Sequence, residues 1–314
     1  MHTRLLPDTP QGIEAAAAIL RAGGLVAFGT ETVYGLGADA CNDHAVAAIY
    51  AAKGRPGINP LISHFTTAAH AFAQVVPTEL ARRLAARFWP GPLTLVLPRA
   101  PGCALSSIAT AGLSTAGVRV PAGAATQALL AACGFPVVAP SANPSGRVSP
   151  SDARHVLAGL DGRIDAVLDC GPCHVGVEST IVDLSGERPV LLRPGGITLE
   201  ALEDACGLPL AIPQASNDTC PTAPGQLSSH YAPGLPVRLE ADSIGPDEAL
   251  LAFGPPLPGA TLAWNLSAGG DLHEAASRLF AGLRFLDMEG HRRGLARSAV
   301  QPIPTHGLGR AIRD

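Results

Sequence analysis

Up to about residue 210 the chain alternates between two periodicities, and that alternation limits its fold more than any other feature. Stretches with apolar side chains at helical spacing are followed by short apolar runs, and Gly or Pro stands at most junctions. Gln11 to Ala22 reads as a helix closed by Gly23, and Leu25 to Phe28 as a buried strand. Asn42 or Asp43 caps a helix carrying Val46, Ile49 and Tyr50, after which Pro60 to Phe65 resumes a strand. Pro77 to Phe88 is predicted as a helix, Leu93 to Leu97 and Val118 to Val120 as strands, Ala124 to Cys133 as a helix, and Val137 to Ala139 as a strand. Ser149-Pro-Ser-Asp opens a helix to Leu160. Short strands near Ala166 to Leu168, Thr180 to Leu184 and Val190 to Leu192 then precede a helix from Thr198 to Cys206. Helices interleaved with strands bury their apolar faces by packing on a sheet, which makes an α/β domain of residues 1 to 210.

Residues 211 to 234 change character. They are rich in Pro, Ser, Gly and Asn without a sustained period, as a linker or lid would be. Residues 235 to 314 then read as a small second α/β domain, with strands at Val237 to Leu239, Leu250 to Phe253 and Thr261 to Trp264. Asp271 to Met288 forms its amphipathic helix, with Ala275, Leu279, Leu283 and Leu286 near one face.

Composition excludes several function classes. Charged residues are only 15% of the chain and the formal charge is −4, so no global positive field draws it onto nucleic acid or an anionic membrane. No run approaches the ~18 apolar residues of a membrane span and MHTRLLPDTP lacks a secretory h-region, so a cytoplasmic location is expected. Seven cysteines scattered through apolar segments suit reduced core thiols better than a disulfide frame.

Two short motifs mislead. Gly35-Leu-Gly37-Ala-Asp-Ala40 fits G-x-G-x-x-A, but Gly57 to Pro60 stand where a dinucleotide site needs its acidic residue, so a tight turn is the expected reading. Cys170-Gly-Pro-Cys173-His174 imitates a redox pair or a haem attachment. The strand-like VGVESTIVDL follows it, and no second C-x-x-C completes a zinc site, so a glycine-rich turn is expected.

Chemistry-bearing residues gather in four segments where strand ends would deliver them to loops, the usual ligand position in open α/β sheets. These are Thr30 to Gly37; Lys53-Gly-Arg55-Pro with Asn59-Pro-Leu-Ile-Ser-His64; Ser114 to Pro121; and Ala139 to Gly146 with Ser149-Pro-Ser151. Lys53 and Arg55 pair a point charge with a fork suited to phosphate oxygens, or else they are a solvated helix end facing the dipole. Arg119, inside an apolar strand, demands a buried anion, either a structural carboxylate or a ligand's. Behind these come Val177 to Asp183, Leu192 to Gly196, and His230-Tyr-Ala-Pro in the linker. There is neither a G-x-S-x-G elbow nor a P-loop, so catalysis is expected to be positional and electrostatic.

Taken together, TETVYGLGADA, KGRP with NPLISH, STAGVRVP, PSANPSG, GVESTIVDL with LLRPGG, and HYAP resemble the YrdC family of threonylcarbamoyl-AMP synthases in its longer two-domain form. The family usually has Pro before the first Thr-Glu-Thr. This chain has Gly29, which is expected to loosen the strand end. The resemblance implies a YrdC-like twisted open mixed sheet with flanking helices, plus a smaller C-terminal α/β domain. It also implies an activity: L-threonine, bicarbonate and ATP give threonylcarbamoyl-AMP and pyrophosphate. Mg2+ accompanies ATP without protein side-chain ligands, and no organic cofactor takes part. Downstream proteins then transfer the group to the adenosine beside the anticodon in tRNA, and no stable nucleic-acid complex is expected.

Carried over by position, the threonine site would be Thr32, His64, Arg119, Ser141 and Ser179, and the nucleotide site Arg55, Asn59, Thr115, Asn143, Ser151, Arg193 and Tyr231. Lys53, Arg55, Ser141 and Asn143 would form the catalytic quartet. Tyr231 in the linker suggests a lid over ATP. A non-catalytic RNA-binding protein using the same cleft is the rival from another class, and aromatic residues at only 4% weaken it because few rings are available to stack bases. Carbamoyl transfer from carbamoyl phosphate is the rival enzyme reading.

Overall fold

The computed structural model describes residues 2–213, 221–225 and 232–314. Ten strands among them form one mixed sheet: β1 (Arg4–Pro7), β2 (Val26–Gly29), β3 (Tyr34–Asp39), β4 (Ile62–His64), β5 (Leu93–Pro98), β6 (Thr115–Arg119), β7 (Val137–Val138), β8 (Ala166–Asp169), β9 (Thr180–Asp183) and β10 (Val190–Arg193). Their order across the sheet is β1-β8-β2-β3-β7-β4-β6-β5-β9-β10. Parallel pairs (β1 with β8, β2 with β8, β4 with β6, β5 with β9) mix with antiparallel ones, so the sheet is open and mixed as expected. Helices lie against it; Pro10–Arg21 and Ala124–Cys133 pack with Leu6, Val26, Phe28 and Leu168 into one buried cluster.

Local chemistry sets the helix ends. The Asn42 side chain accepts from His44 N at 3.0 Å and so starts Asp43–Lys53, which Gly54 closes at φ 62°. Thr78 caps Glu79–Phe88, leaving Pro77 before the helix rather than in it. Helix Leu199–Cys206 belongs to the large domain: Leu202 and Cys206 are in its main core, and Arg83 donates to the Cys206 carbonyl at 2.8 Å.

Several expectations are corrected. Gly35 to Ala40 is not a tight turn; Tyr34–Asp39 is a buried strand of the central sheet. Glycine is required there by close packing, because a Cβ on Gly37 would lie 2.7 Å from the Phe28 ring and 3.0 Å from the Val26 carbonyl oxygen. Gly29 is packed rather than loose, since a Cβ there would come within 2.9 Å of the Cys170 Cβ. β1 was not foreseen, because Arg4 and the exposed Leu5 hide its alternation.

The second sheet is parallel, ordered β11-β14-β12-β13, from β11 (Val237–Arg238), β12 (Glu248–Ala252), β13 (Ala263–Asn265) and β14 (Arg297–Val300). β14 lacks a sequence signal because it is short, opens on the exposed Arg297 and is followed by Gln301. The long helix, Leu272–Arg293, runs five residues beyond Met288, past His291, Arg292 and Arg293, to a left-handed Gly294. Cations in the last turn suit the helix dipole, and that polar end hides the extension from hydrophobic periodicity. The two domains share apolar core: Val33, Val148 and Val177 pack with Ala276, Leu279 and Phe280 of this helix. Gly176 touches the helix backbone so closely that a Cβ would lie 2.4 Å from the Ala276 carbonyl oxygen.

Candidate active site

Strand register places one row of polar residues along an end of the large sheet. His64 on β4 pairs with Arg119 on β6, Arg119 with Thr94 on β5, Thr94 with Ile181 on β9, and Ile181 with Arg193 on β10. Ser179 immediately precedes β9, and an isolated bridge joins Ser141 to Gly35. The resulting cleft is lined by Thr30, Thr32, Arg55, His64, Arg119, Ser141, Glu178, Ser179 and Arg193, with Pro224 from the linker. Seven of the residues expected from the sequence thus meet on one surface.

The charges in this wall are paired. Arg119 donates from Nη2 to Glu31 Oε1 at 2.6 Å and to Thr32 Oγ1 at 3.1 Å, and from Nε to the Gly91 carbonyl at 3.3 Å. Its strand does bury an anion, and that anion is Glu31. The second Glu31 oxygen accepts from Ala122 N at 3.1 Å. Burial alone would raise the Glu31 pKa, but the charge and hydrogen bond of Arg119 outweigh it and hold the carboxyl below its usual value. Among the described residues no partner stands on Arg119 Nη1, so that edge keeps two N–H groups in a geometry that suits a carboxylate.

Arg193 donates to the Ser179 carbonyl at 2.9 Å and to Ser179 Oγ at 3.0 Å, with a Glu178 oxygen 3.7 Å away. Ser179 Oγ also lies 2.8 Å from Thr94 Oγ1, so hydrogen bonds fix its direction. His64 is buried, and that burial together with the nearby Arg119 charge lowers its pKa to about 3. It is therefore neutral at physiological pH. Its Nδ1–H donates to the Ile62 carbonyl at 3.2 Å, leaving Nε2 as an acceptor.

The other expected residues stand behind or beside the wall. Lys53 is not a solvated helix end; it is buried, and its ammonium donates to the carbonyls of Ser141 and Asn143. Desolvation, reinforced by Arg55, pushes its pKa well below the ordinary lysine value. Lys53 thus clamps the Pro-Ser-Ala-Asn loop and does not aim at the cleft. Arg55 donates to the carbonyls of Asn59 and Pro60 at 3.3 and 3.0 Å. The Oδ1 atoms of Asn59 and Asn143 are buried and have no hydrogen-bond partner among the described residues, so a donor on a ligand would satisfy them. Thr115 lines a neighbouring cavity that shares Ile62 and Pro224 with the cleft. Ser151 is outside the cleft wall, its Oγ 3.5 Å from His155 Nδ1. Tyr231 lies outside the described residues.

Glu31 and Glu178, with Thr30, belong to the site although the resemblance gives them no role. Each glutamate is a carboxylate beside an apolar strand, matched by an equally isolated arginine elsewhere; that symmetry was the available signal.

Comparison with known proteins decides the family. The model described as "Telomere recombination", of the Sua5, YciO and YrdC proteins, matches residues 18–195, and "Threonylcarbamoyl-AMP synthase, C-terminal domain" matches 197–314. The chain belongs to the Sua5/YrdC family. A threonylcarbamoyl-AMP synthase of Bacillus subtilis is 48% identical over 75% of this chain and 68% of its own length. One from Schizosaccharomyces pombe is 37% identical over 92% and 85%. The crystal structure of Pyrococcus abyssi Sua5 complexed with L-threonine superposes with TM-score 0.89 at 36% identity, covering 100% of this chain and 96% of that one. Escherichia coli YciO, at 24% identity and TM-score 0.55 over 62% of this chain, shares the fold of the Sua5/YrdC domain alone.

Proposed function

We infer that the chain makes threonylcarbamoyl-AMP from L-threonine, bicarbonate and ATP, releasing pyrophosphate. The observation that carries this reading is a single cleft in which Arg119, Arg55 and Arg193 meet a set of directed hydroxyls and a neutral imidazole. Threonine would set its carboxylate on Arg119 Nη1, with Thr32, Ser141 and Ser179 as hydroxyl partners and His64 Nε2 as an acceptor. The threonine amine and bicarbonate form a carbamate with loss of water. A carbamate oxygen then attacks the α-phosphorus as the bond to pyrophosphate breaks. Arg55 and Arg193 would offset charge gathering on the phosphate oxygens, with Asn59, Thr115, Asn143, Ser151 and Tyr231 completing the nucleotide site and residues 211 to 234 closing over it.

Among the described residues no group of three or more His, Cys, Asp or Glu side chains is arranged to hold a metal ion. On this reading Mg2+ enters as part of the Mg-ATP substrate. The product supplies the threonylcarbamoyl group that other proteins place on the adenosine beside the anticodon in tRNA. No helix among the described residues is long and apolar enough to cross a membrane. We place the activity in the cytoplasm because its product is consumed in tRNA modification.

The test is mass-spectrometric detection of threonylcarbamoyl-AMP, with pyrophosphate release that requires both threonine and bicarbonate. Release without threonine, or none at all, would overturn the synthase reading. The second outcome is what an RNA-binding protein predicts, while product made only with carbamoyl phosphate would favour carbamoyl transfer.

A further inference from the structure

We propose that Arg284, on the long helix of the C-terminal domain, is a positioning residue for the nucleotide half of the cleft. Its guanidinium leaves its own domain and donates to two successive carbonyls of the other, Val148 and, at 3.3 Å, Ser149. Among the described residues no carboxylate lies within ion-pair distance of it, and burial lowers its pKa to about 10, so these carbonyls are its main compensation. A buried guanidinium solvated by backbone carbonyls holds that backbone tightly, because parting them would leave a buried charge and buried carbonyls without partners.

What the segment holds links Arg284 to the cleft. Ser149 is fully buried, and its Oγ donates to Glu178 Oε1 at 2.7 Å. The other Glu178 oxygen faces Arg193, which in turn grips Ser179. On the same segment Asn143 Nδ2 reaches the Arg147 carbonyl at 2.6 Å, and the Pro150 carbonyl accepts from Tyr34 N at 2.8 Å. A continuous chain of contacts therefore runs from Arg284 through Ser149 and Glu178 to Arg193. Arg119 has its own support in Glu31 and Thr32 and is not on this chain. The second domain thus orients the phosphate-facing guanidinium and, through it, Ser179 at the edge of the amino-acid side, while the carboxylate-facing Arg119 keeps its separate support.

This inference rests on the proposed synthase activity only for its kinetic readout, so equilibrium binding is measured beside it on the full-length chain. For Arg284→Met, the Kd of Mg-ATP by titration calorimetry and its KM should each rise about tenfold, while Kd and KM for threonine stay within twofold; Arg284→Lys should recover part of the ATP affinity. Ser149→Ala, which cuts the link to Glu178 without touching Arg284, should weaken ATP selectively too. The double variant Arg284→Met with Ser149→Ala should be weaker than wild type by less than the product of the single effects. Unchanged ATP binding in Arg284→Met, or equal weakening of both substrates, overturns the proposal. Should Arg284→Met fail to fold, unchanged ATP binding in Ser149→Ala overturns it. A wild-type chain that binds Mg-ATP but makes no product would sink the synthase reading and leave the positioning role to be decided on Kd.

Discussion

Replacing Glu31 by Gln removes the counter-charge of Arg119 while keeping its shape and one acceptor. Both side chains of this pair are at most 4% exposed, so solvent screens little of their attraction. At an effective dielectric of ~20 and a charge separation near 4 Å the Coulomb energy is about 4 kcal/mol, and breaking a buried pair from one side costs about 3–5 kcal/mol. Glu31→Gln should therefore destabilise by about 3 kcal/mol at pH 7. Arg119→Met should do the same, tempered because the orphaned carboxyl can take up a proton. The double variant leaves neither charge unpaired and should cost less than the summed singles by about 2 kcal/mol or more. Urea unfolding of the four proteins measures this, and additivity within about 0.5 kcal/mol would refute a coupled buried pair. The pH dependence has a definite sign. The Glu31 pKa is lowered by folding, so its contribution is complete above the ordinary carboxylate value of 4.5 and fades as pH falls through the folded value. Wild type and Glu31→Gln should thus converge in acid; curves that stay parallel would show that Glu31 does not carry the difference.

The remaining expectations concern the two halves of the cleft and their support. Arg55→Ala should raise the KM for ATP at least tenfold with little change for threonine, and Arg119→Ala the reverse; steady-state kinetics that show both substrates weakened alike in both variants would contradict separate roles. Lys53→Met leaves the Ser141 and Asn143 carbonyls without their shared donor and should cost about 1–3 kcal/mol by urea unfolding, with more than a tenfold loss of product formation. Retained activity would mean that the loop does not depend on the clamp. Gly195→Ala would put a Cβ 2.4 Å from both the Glu178 carbonyl oxygen and Thr180 N, so it should lower thermal stability and ATP use together. A variant melting within a degree of wild type would show that this contact relaxes freely.

Most of the fold was legible because helix caps and apolar runs are local signals: Asn42, Gly54 and the largely apolar stretch of β5 announce themselves. β3 was misread because its two glycines serve strand packing, which depends on Phe28 and Val137 from other strands. In the site, the resemblance named Arg119 and Arg193 but not their partners Glu31 and Glu178, since which carboxylate meets which arginine is set by the order of strands. Lys53 shows the same limit: its residue type suits a phosphate, yet helix geometry turns it toward the backbone of a neighbouring loop.

The row His64, Arg119, Thr94, Ser179 and Arg193 is assembled from strands whose spatial neighbours are seldom their neighbours in the chain. During synthesis, then, the row is complete only once Arg193 has been made, long after His64. The two ends of the row therefore come together only through the pairing of β4, β6, β5, β9 and β10 across the sheet.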